Sequence, residues 1–146
     1  MTIAWLVVIF YFSAQPADAS TERSLAIGRA VGHVFVAEYD DWSQEEQTVF
    51  AEKIDHPIRK TAHATEYAVL AILLYASIGK KSVFPAWLGA TVYAMTDEFH
   101  QRFVPGRSGQ ISDVVLDSLG AAVGIAIFLV VRTLFLHIRR KFGTDL

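Results

Sequence analysis

The chain contains no cysteine. That excludes a disulfide-stapled fold, a thiolate metal site and a cysteine nucleophile. The formal net charge is only −2, which leaves no electrostatic footprint for nucleic acid. Only four prolines occur in 146 residues, and no low-complexity stretch or internal repeat is present. The length is that of one domain, spanning 1–146. No βαβ pattern and no strand-like alternation is visible. HExxH, GxSxG, GxGxxG and P-loop patterns are all missing. The common signatures of zinc proteases, serine hydrolases and nucleotide-binding enzymes are therefore absent.

What is present is apolar length. Hydrophobic residues make up 53% of the chain and charged residues 19%, unevenly spread. Ten Phe, five Tyr and three Trp are too many for a disordered segment. A bilayer core needs about 20 mostly apolar residues as helix. Three runs reach that length, predicting transmembrane helices over about 60–79, 83–104 and 110–136. The first run, about 3–16, is shorter, and Gln15-Pro16 closes it. It resembles a signal-peptide core in length, and Ala17-Asp18-Ala19 imitates a cleavage site. A signal peptide also wants a basic n-region, yet no Lys or Arg precedes Arg23. The run is read as a first transmembrane helix. The predicted fold class is all-α, an integral membrane bundle of four transmembrane helices.

Residues 17–58 read as an outer segment with short amphipathic helices. Ser20 or Thr21 can cap a helix running to about Ala37. Ile27, Val31 and Val34, at i, i+4 and i+7, mark its apolar face. Ser43-x-x-Glu46 is a capping box for a second helix, expected to end before Pro57. Basic residues at helix ends prefer the cytoplasm. Lys80-Lys81 and Arg139-Arg140-Lys141 then lie inside, and 17–58 and 102–110 lie outside. Arg59, Lys60, Arg102 and Arg107 fall on the disfavoured outer side. Their position asks for a reason other than topology.

In this orientation every polar interruption of the apolar runs falls at one depth. Arg59, Lys60, His63, Glu66 and Tyr67 share an arc of about 120° on one helix. Tyr93, Asp97, His100 and Gln101 share a face on the next, with Ala86 and Ala90 continuing it inward and Glu98 turned away. Asp113 and Asp117 form a stripe with Gly120 and Gly124 on the last helix. Gly120-x-x-x-Gly124 permits close approach of another helix. Pro105-Gly106 makes a tight turn, and Arg107 beside it is placed to hold an anionic ligand or to pair with Asp113. Ionisable side chains at membrane depth are costly and usually functional. The bland reading of each residue is a snorkelling base, a dipole-matched acid or an internal ion pair.

These residues also carry a resemblance. Ile9-Phe10-Tyr11-Phe12-Ser13-Ala14-Gln15-Pro16 opens it, and Arg59-Lys60-x-x-His63-x-x-Glu66-Tyr67-x-x-Leu70 follows. The longest stretch is Asp97-Glu98-x-His100-Gln101-x-Phe103-Val104-Pro105-Gly106-Arg107, with Asp113, Asp117, Gly120 and Gly124 beyond it. In these motifs the chain resembles the VanZ-like family of small bacterial membrane proteins. The resemblance implies a multi-pass protein of the bacterial cytoplasmic membrane, acting in the envelope and linked to resistance to the glycopeptide teicoplanin. It does not supply a reaction.

The residues leave three function classes open. The first is an enzyme or ligand-handling protein whose outward-facing polar site takes an anionic lipid-linked or glycopeptide-related envelope component. Its catalytic candidates are His63, Glu66, Glu98 and His100, with Asp113 orienting them. Its ligand contacts are Arg59, Lys60, Tyr67, Asp97, Gln101, Arg107 and Asp117. The second is a non-catalytic accessory protein that binds a lipid, glycopeptide or partner protein. The third, less favoured, is a small proton-coupled transporter. No cofactor is expected, although the carboxylate/His residue types would suit a divalent metal. Expected partners are membrane lipid or a lipid-linked envelope component, not nucleic acid. A homo-oligomer is left open.

Overall fold

The computed structural model describes residues 1–78 and 83–142, so the basic pair Lys80-Lys81 lies outside the described residues. Among the described residues there are five α-helices: α1 (Thr2–Ser13), α2 (Ala17–Phe35), α3 (Gln44–Ile78), α4 (Val83–Gln101) and α5 (Ile111–Phe142). A single 3-10 turn, Tyr39–Asp41, precedes α3. No strand occurs among the described residues. The all-α expectation therefore holds.

The helix α3 is the axis of the molecule, packed against each of the other four. Its beginning is the predicted capping box. Glu46 Oε2 accepts from the Ser43 backbone N–H at 2.9 Å, and Ser43 Oγ accepts from the Glu46 N–H at 3.3 Å. The expected end before Pro57 is corrected, because α3 runs unbroken through Pro57 for 35 residues. Proline removes one helical hydrogen bond and crowds the preceding turn. Here α3 is held before Pro57 by α2, through Ser24 on Asp55 and Gly28 against Ala51, and after it by α5, through Asp113 on Lys60, and tertiary contact outweighs the local break. The outer helix and the second transmembrane run are thus one element.

The helix α2 starts at Ala17, ahead of the predicted cap at Ser20 or Thr21. Pro16 occupies the N-cap position, and the Ala17 N–H donates to the Pro105 carbonyl at 3.1 Å. The expected apolar face does not make the packing surface. Ile27 and Val34 are exposed, whereas Ser24, Gly28 and Gly32 are buried. Small side chains let α2 lie close along the first half of α3, with Ser24 on Asp55 and Gly28 against Ala51. Tyr39 closes this hairpin over Gly32, and its hydroxyl donates to the Gln47 carbonyl at 3.2 Å.

The second half of α3 packs with α1, α4 and α5 around Tyr67, Leu70, Ala71 and Tyr75. Ala86 and Ala90 of α4 are fully buried there, as the inward face read from sequence requires, and Ala94 is buried with them. The predicted Gly120/Gly124 approach is also present. A Cβ on Gly120 would collide with the Ala64 backbone, and one on Gly124 would sit 2.7 Å from the Ala68 Cβ. Trp5 docks α1 by donating to the Glu66 carbonyl at 2.9 Å, and the Tyr93 hydroxyl donates to the Leu6 carbonyl at 2.9 Å.

By length and composition, α3 and α5 could each cross a membrane. A third span exists if α1 and α2, bent by 103° at their junction, count as one broken crossing. Four were expected. The helix α4 is 19 residues long, but Thr96, Asp97, Glu98, His100 and Gln101 in its last turns lower its hydropathy.

Candidate functional site

The middle of α3, the end of α4 and the start of α5 meet around one cavity of about 120 Å³. Helical spacing builds the wall from α3, where His56, Arg59, Lys60 and His63 fall on one side. The end of α4 supplies Glu98 and Gln101, the start of α5 supplies Asp113, Leu116 and Asp117, and the connecting loop supplies Arg107, Ser108 and Gln110. Gly106 makes the loop possible. Its φ of +74° is a left-handed conformation that a side chain resists, and it turns the chain back so that Arg107 faces the bundle.

Eight of the twelve residues singled out from sequence line this cavity: Arg59, Lys60, His63, Glu98, Gln101, Arg107, Asp113 and Asp117. Glu66 instead opens onto a neighbouring groove. Tyr67, Asp97 and His100 line neither space and lie behind the wall. Asp97 accepts from Gln101 Nε2 at 3.1 Å. The His100 ring packs on Phe10 with centroids 5.0 Å apart. Tyr67 is fully buried, with its ring 6.4 Å from that of Tyr93.

Sequence reasoning missed His56, Ser108 and Gln110. His56 lies four residues before Lys60 and seven before His63, so the signal was there. Breaking the helix at Pro57 removed it from the stripe. Ser108 and Gln110 reach the cavity through loop geometry, which periodicity does not describe.

Several charges are already engaged. Lys60 Nζ lies 3.1 Å from Asp113 Oδ1, so Asp113 pairs with Lys60 and not with Arg107. Arg59 Nη1 approaches Asp55 Oδ2 at 3.7 Å. Glu98 Oε2 accepts the Gln110 backbone N–H at 2.9 Å, placing a carboxylate at the start of α5, where the helix dipole favours it. Arg107 reaches the end of α1. Its Nε donates to the Gln15 carbonyl at 2.9 Å and its Nη2 to the Phe12 carbonyl at 3.1 Å. Burial first, then the nearby charge of Arg59, pushes the Arg107 guanidinium below its ordinary pKa, against the opposing pull of Asp97. The charge of an anion in the cavity would offset both effects.

Other groups on the wall are left without a partner. Asp117 is fully buried, and neither carboxylate oxygen makes a hydrogen bond. His63 Nδ1 is 3.9 Å from Glu66 Oε2, too far for a hydrogen bond, and is itself unsatisfied. Buried polar atoms are normally bonded; those of Asp117 and His63 belong to cavity-lining residues and are open to a bound molecule, while the unsatisfied atoms of Ser13, Tyr67 and His100 belong to residues that do not line it. Among the described residues no three His, Asp or Glu side chains are arranged to hold a metal ion.

The Lys60–Asp113 pair is partly exposed, and solvent screens it. A double-mutant cycle with Lys60→Met and Asp113→Asn, read by thermal unfolding in detergent, is expected to give a coupling of about 1 kcal/mol. A coupling near zero would mean that the two charges do not hold α3 against α5.

A helical membrane protein with a polar cavity where two helix ends meet the middle of a third is the class that this fold and site define. Within that class the chain belongs to the VanZ/LLP1 family, whose model matches residues 1–132. No curated protein and no solved structure matches it significantly.

Proposed function

We propose that this protein is a multi-pass protein of the bacterial cytoplasmic membrane that handles an anionic, lipid-linked or glycopeptide-related envelope component at an outward-facing site. In this reading it contributes to glycopeptide resistance of the teicoplanin type. The carrying observation is a cavity edged by Arg59, Lys60 and Arg107 and backed by the unpartnered Asp117 and His63. The cations attract an anionic group. His63 is free to accept or donate a proton, and Asp117 can bond a hydroxyl or amide of the bound molecule. Asp113 and Glu98 are held by Lys60 and the start of α5, so they position the wall and the loop. An accessory role without chemistry uses the same cavity and is the alternative.

In this arrangement α4 and the α1–α2 pair complete four crossings. The basic C-terminal end of α5 lies roughly 40 Å along the helix from Asp113, on the cytoplasmic side. The absence of native cysteine makes the topology testable. Ser108→Cys is expected to react with an impermeant thiol reagent in intact cells, and Arg139→Cys only after permeabilisation. The opposite pattern refutes the orientation.

The functional test is a glycopeptide susceptibility assay on cells expressing His63→Gln and Asp117→Asn, with protein level measured in parallel. Both substitutions nearly keep side-chain size. Both are expected to abolish the effect on susceptibility, with accumulation within about twofold of the parent. Full retention of the effect by both variants would make the cavity architectural.

A further inference from the structure

Beside the polar cavity lies a larger groove of about 310 Å³, between the end of α1, the side of α2 and the middle of α3. That is within the size range of small-ligand sites. Phe12, Ile27, Ile58 and Ala62 line it. Phe12 and Ile27 are 39% and 51% exposed, so its outer lip is apolar and open. No sequence motif pointed to this groove, because its walls come from three helices.

Two features separate it from a packing gap. It shares Arg59, His63 and Arg107 with the polar cavity, so the two spaces meet at a common cationic wall. Arg23 adds a further positive charge and lies over the Phe12 ring, 5.3 Å from its centroid. The one acid on the groove wall, Glu66, sits on the His63 side. A free anion would need the cations but not the apolar walls. A neutral lipid would need the walls but not three guanidinium groups. An amphiphile with an anionic head uses both.

We infer that the groove under α2 receives the hydrocarbon chain of a phosphate-bearing lipid whose head group rests against Arg59 and Arg107 at the mouth of the polar cavity. This rests on the anion-handling reading above and specifies its substrate class. It also gives the exposed apolar edge of α2, from Ile27 to Val34, a role facing the bilayer beside the lateral opening. Arg59 is the principal head-group contact: its ion-pair partner Asp55 stays 3.7 Å away, whereas Arg107 spends two donors on the Phe12 and Gln15 carbonyls.

The test uses the wild-type full chain in phosphatidylcholine nanodiscs with a long-chain alkyl phosphate carrying a photoreactive diazirine in its chain. Irradiation is expected to concentrate crosslinks in peptides covering 20–27 and 58–62. Unlabelled alkyl phosphate should compete at least tenfold better than the alcohol of the same chain length. Arg59→Gln should cut crosslinking at least tenfold. Crosslinks spread evenly over the outer face of α5 overturn the inference, as does equal competition by the alcohol. If they do so while His63→Gln still loses the glycopeptide effect, only the groove assignment falls. If His63→Gln and Asp117→Asn also keep the effect, the site reading falls with it.

Discussion

Gly120→Leu is expected to prevent accumulation of the folded protein, and even Gly120→Ala to cost more than about 3 kcal/mol. The reason is the kind of atom the new side chain would meet. A Cβ at Gly120 runs into the carbonyl oxygen, Cα and carbonyl carbon of Ala64. A helix backbone cannot swing aside as the end of a long side chain can, so α3 and α5 must separate. The core between them would open, and Lys60 and Asp113 would move apart at the cavity. Ala64→Gly should not rescue Gly120→Ala, because the obstructing atoms are backbone. Ala68→Gly should likewise fail to rescue Gly124→Ala, because behind the Ala68 Cβ at 2.7 Å lie the Ala68 Cα and carbonyl oxygen at 2.8 and 2.9 Å. Thermal unfolding and size-exclusion in detergent report both results. A Gly120→Leu protein that is monodisperse and as stable as the parent would contradict the packing described.

Arg107→Ala is expected to abolish the effect on glycopeptide susceptibility proposed above and to loosen α1. Its two hydrogen bonds end on the Phe12 carbonyl in the last turn of α1, which otherwise accepts only the Gln15 N–H at 3.3 Å, and on the Gln15 carbonyl just past that turn. Charge-assisted bonds of this kind contribute on the order of 2 kcal/mol each. The same residue supplies positive charge to both the cavity and the groove. Arg107→Lys should keep charge but fail to restore function, because a single ammonium does not reproduce two bonds from one planar fork. Ser13 is buried in the parent, so Ser13→Cys gives a second readout. Its thiol should label slowly in an otherwise parental protein and at least tenfold faster with Arg107→Ala. Unchanged labelling would mean that Arg107 does not anchor α1. Unchanged susceptibility in both variants would remove it from the site.

Much of this was legible from residues alone. Apolar runs long enough for a bilayer, separated by polar stretches, require helices, because the backbone in hydrocarbon must satisfy its own hydrogen bonds. Helical periodicity then put Asp113, Asp117, Gly120 and Gly124 on one stripe, and the close α3–α5 contact follows from that stripe. The same arithmetic grouped Arg59, Lys60 and His63, and all three line the cavity. The family motifs were equally local, and membership in the VanZ/LLP1 family agrees with them.

Only tertiary structure decided how the stripes were partnered. Pro57 reads locally as a helix stop, yet packing on both flanks carries α3 through it and brings His56 to the site. The apolar pattern of α2 suggested a face, but in a membrane-type protein small residues bring helices together and large apolar ones can face outward. Ser24, Gly28 and Gly32 therefore form the packed side. Asp113 finds Lys60, Arg107 finds the end of α1, and Glu98 finds the start of α5. Periodicity gives the direction in which a side chain leaves its own helix. Which donor or acceptor waits there depends on the crossing of a second helix, and that is set by contacts many residues away in the chain.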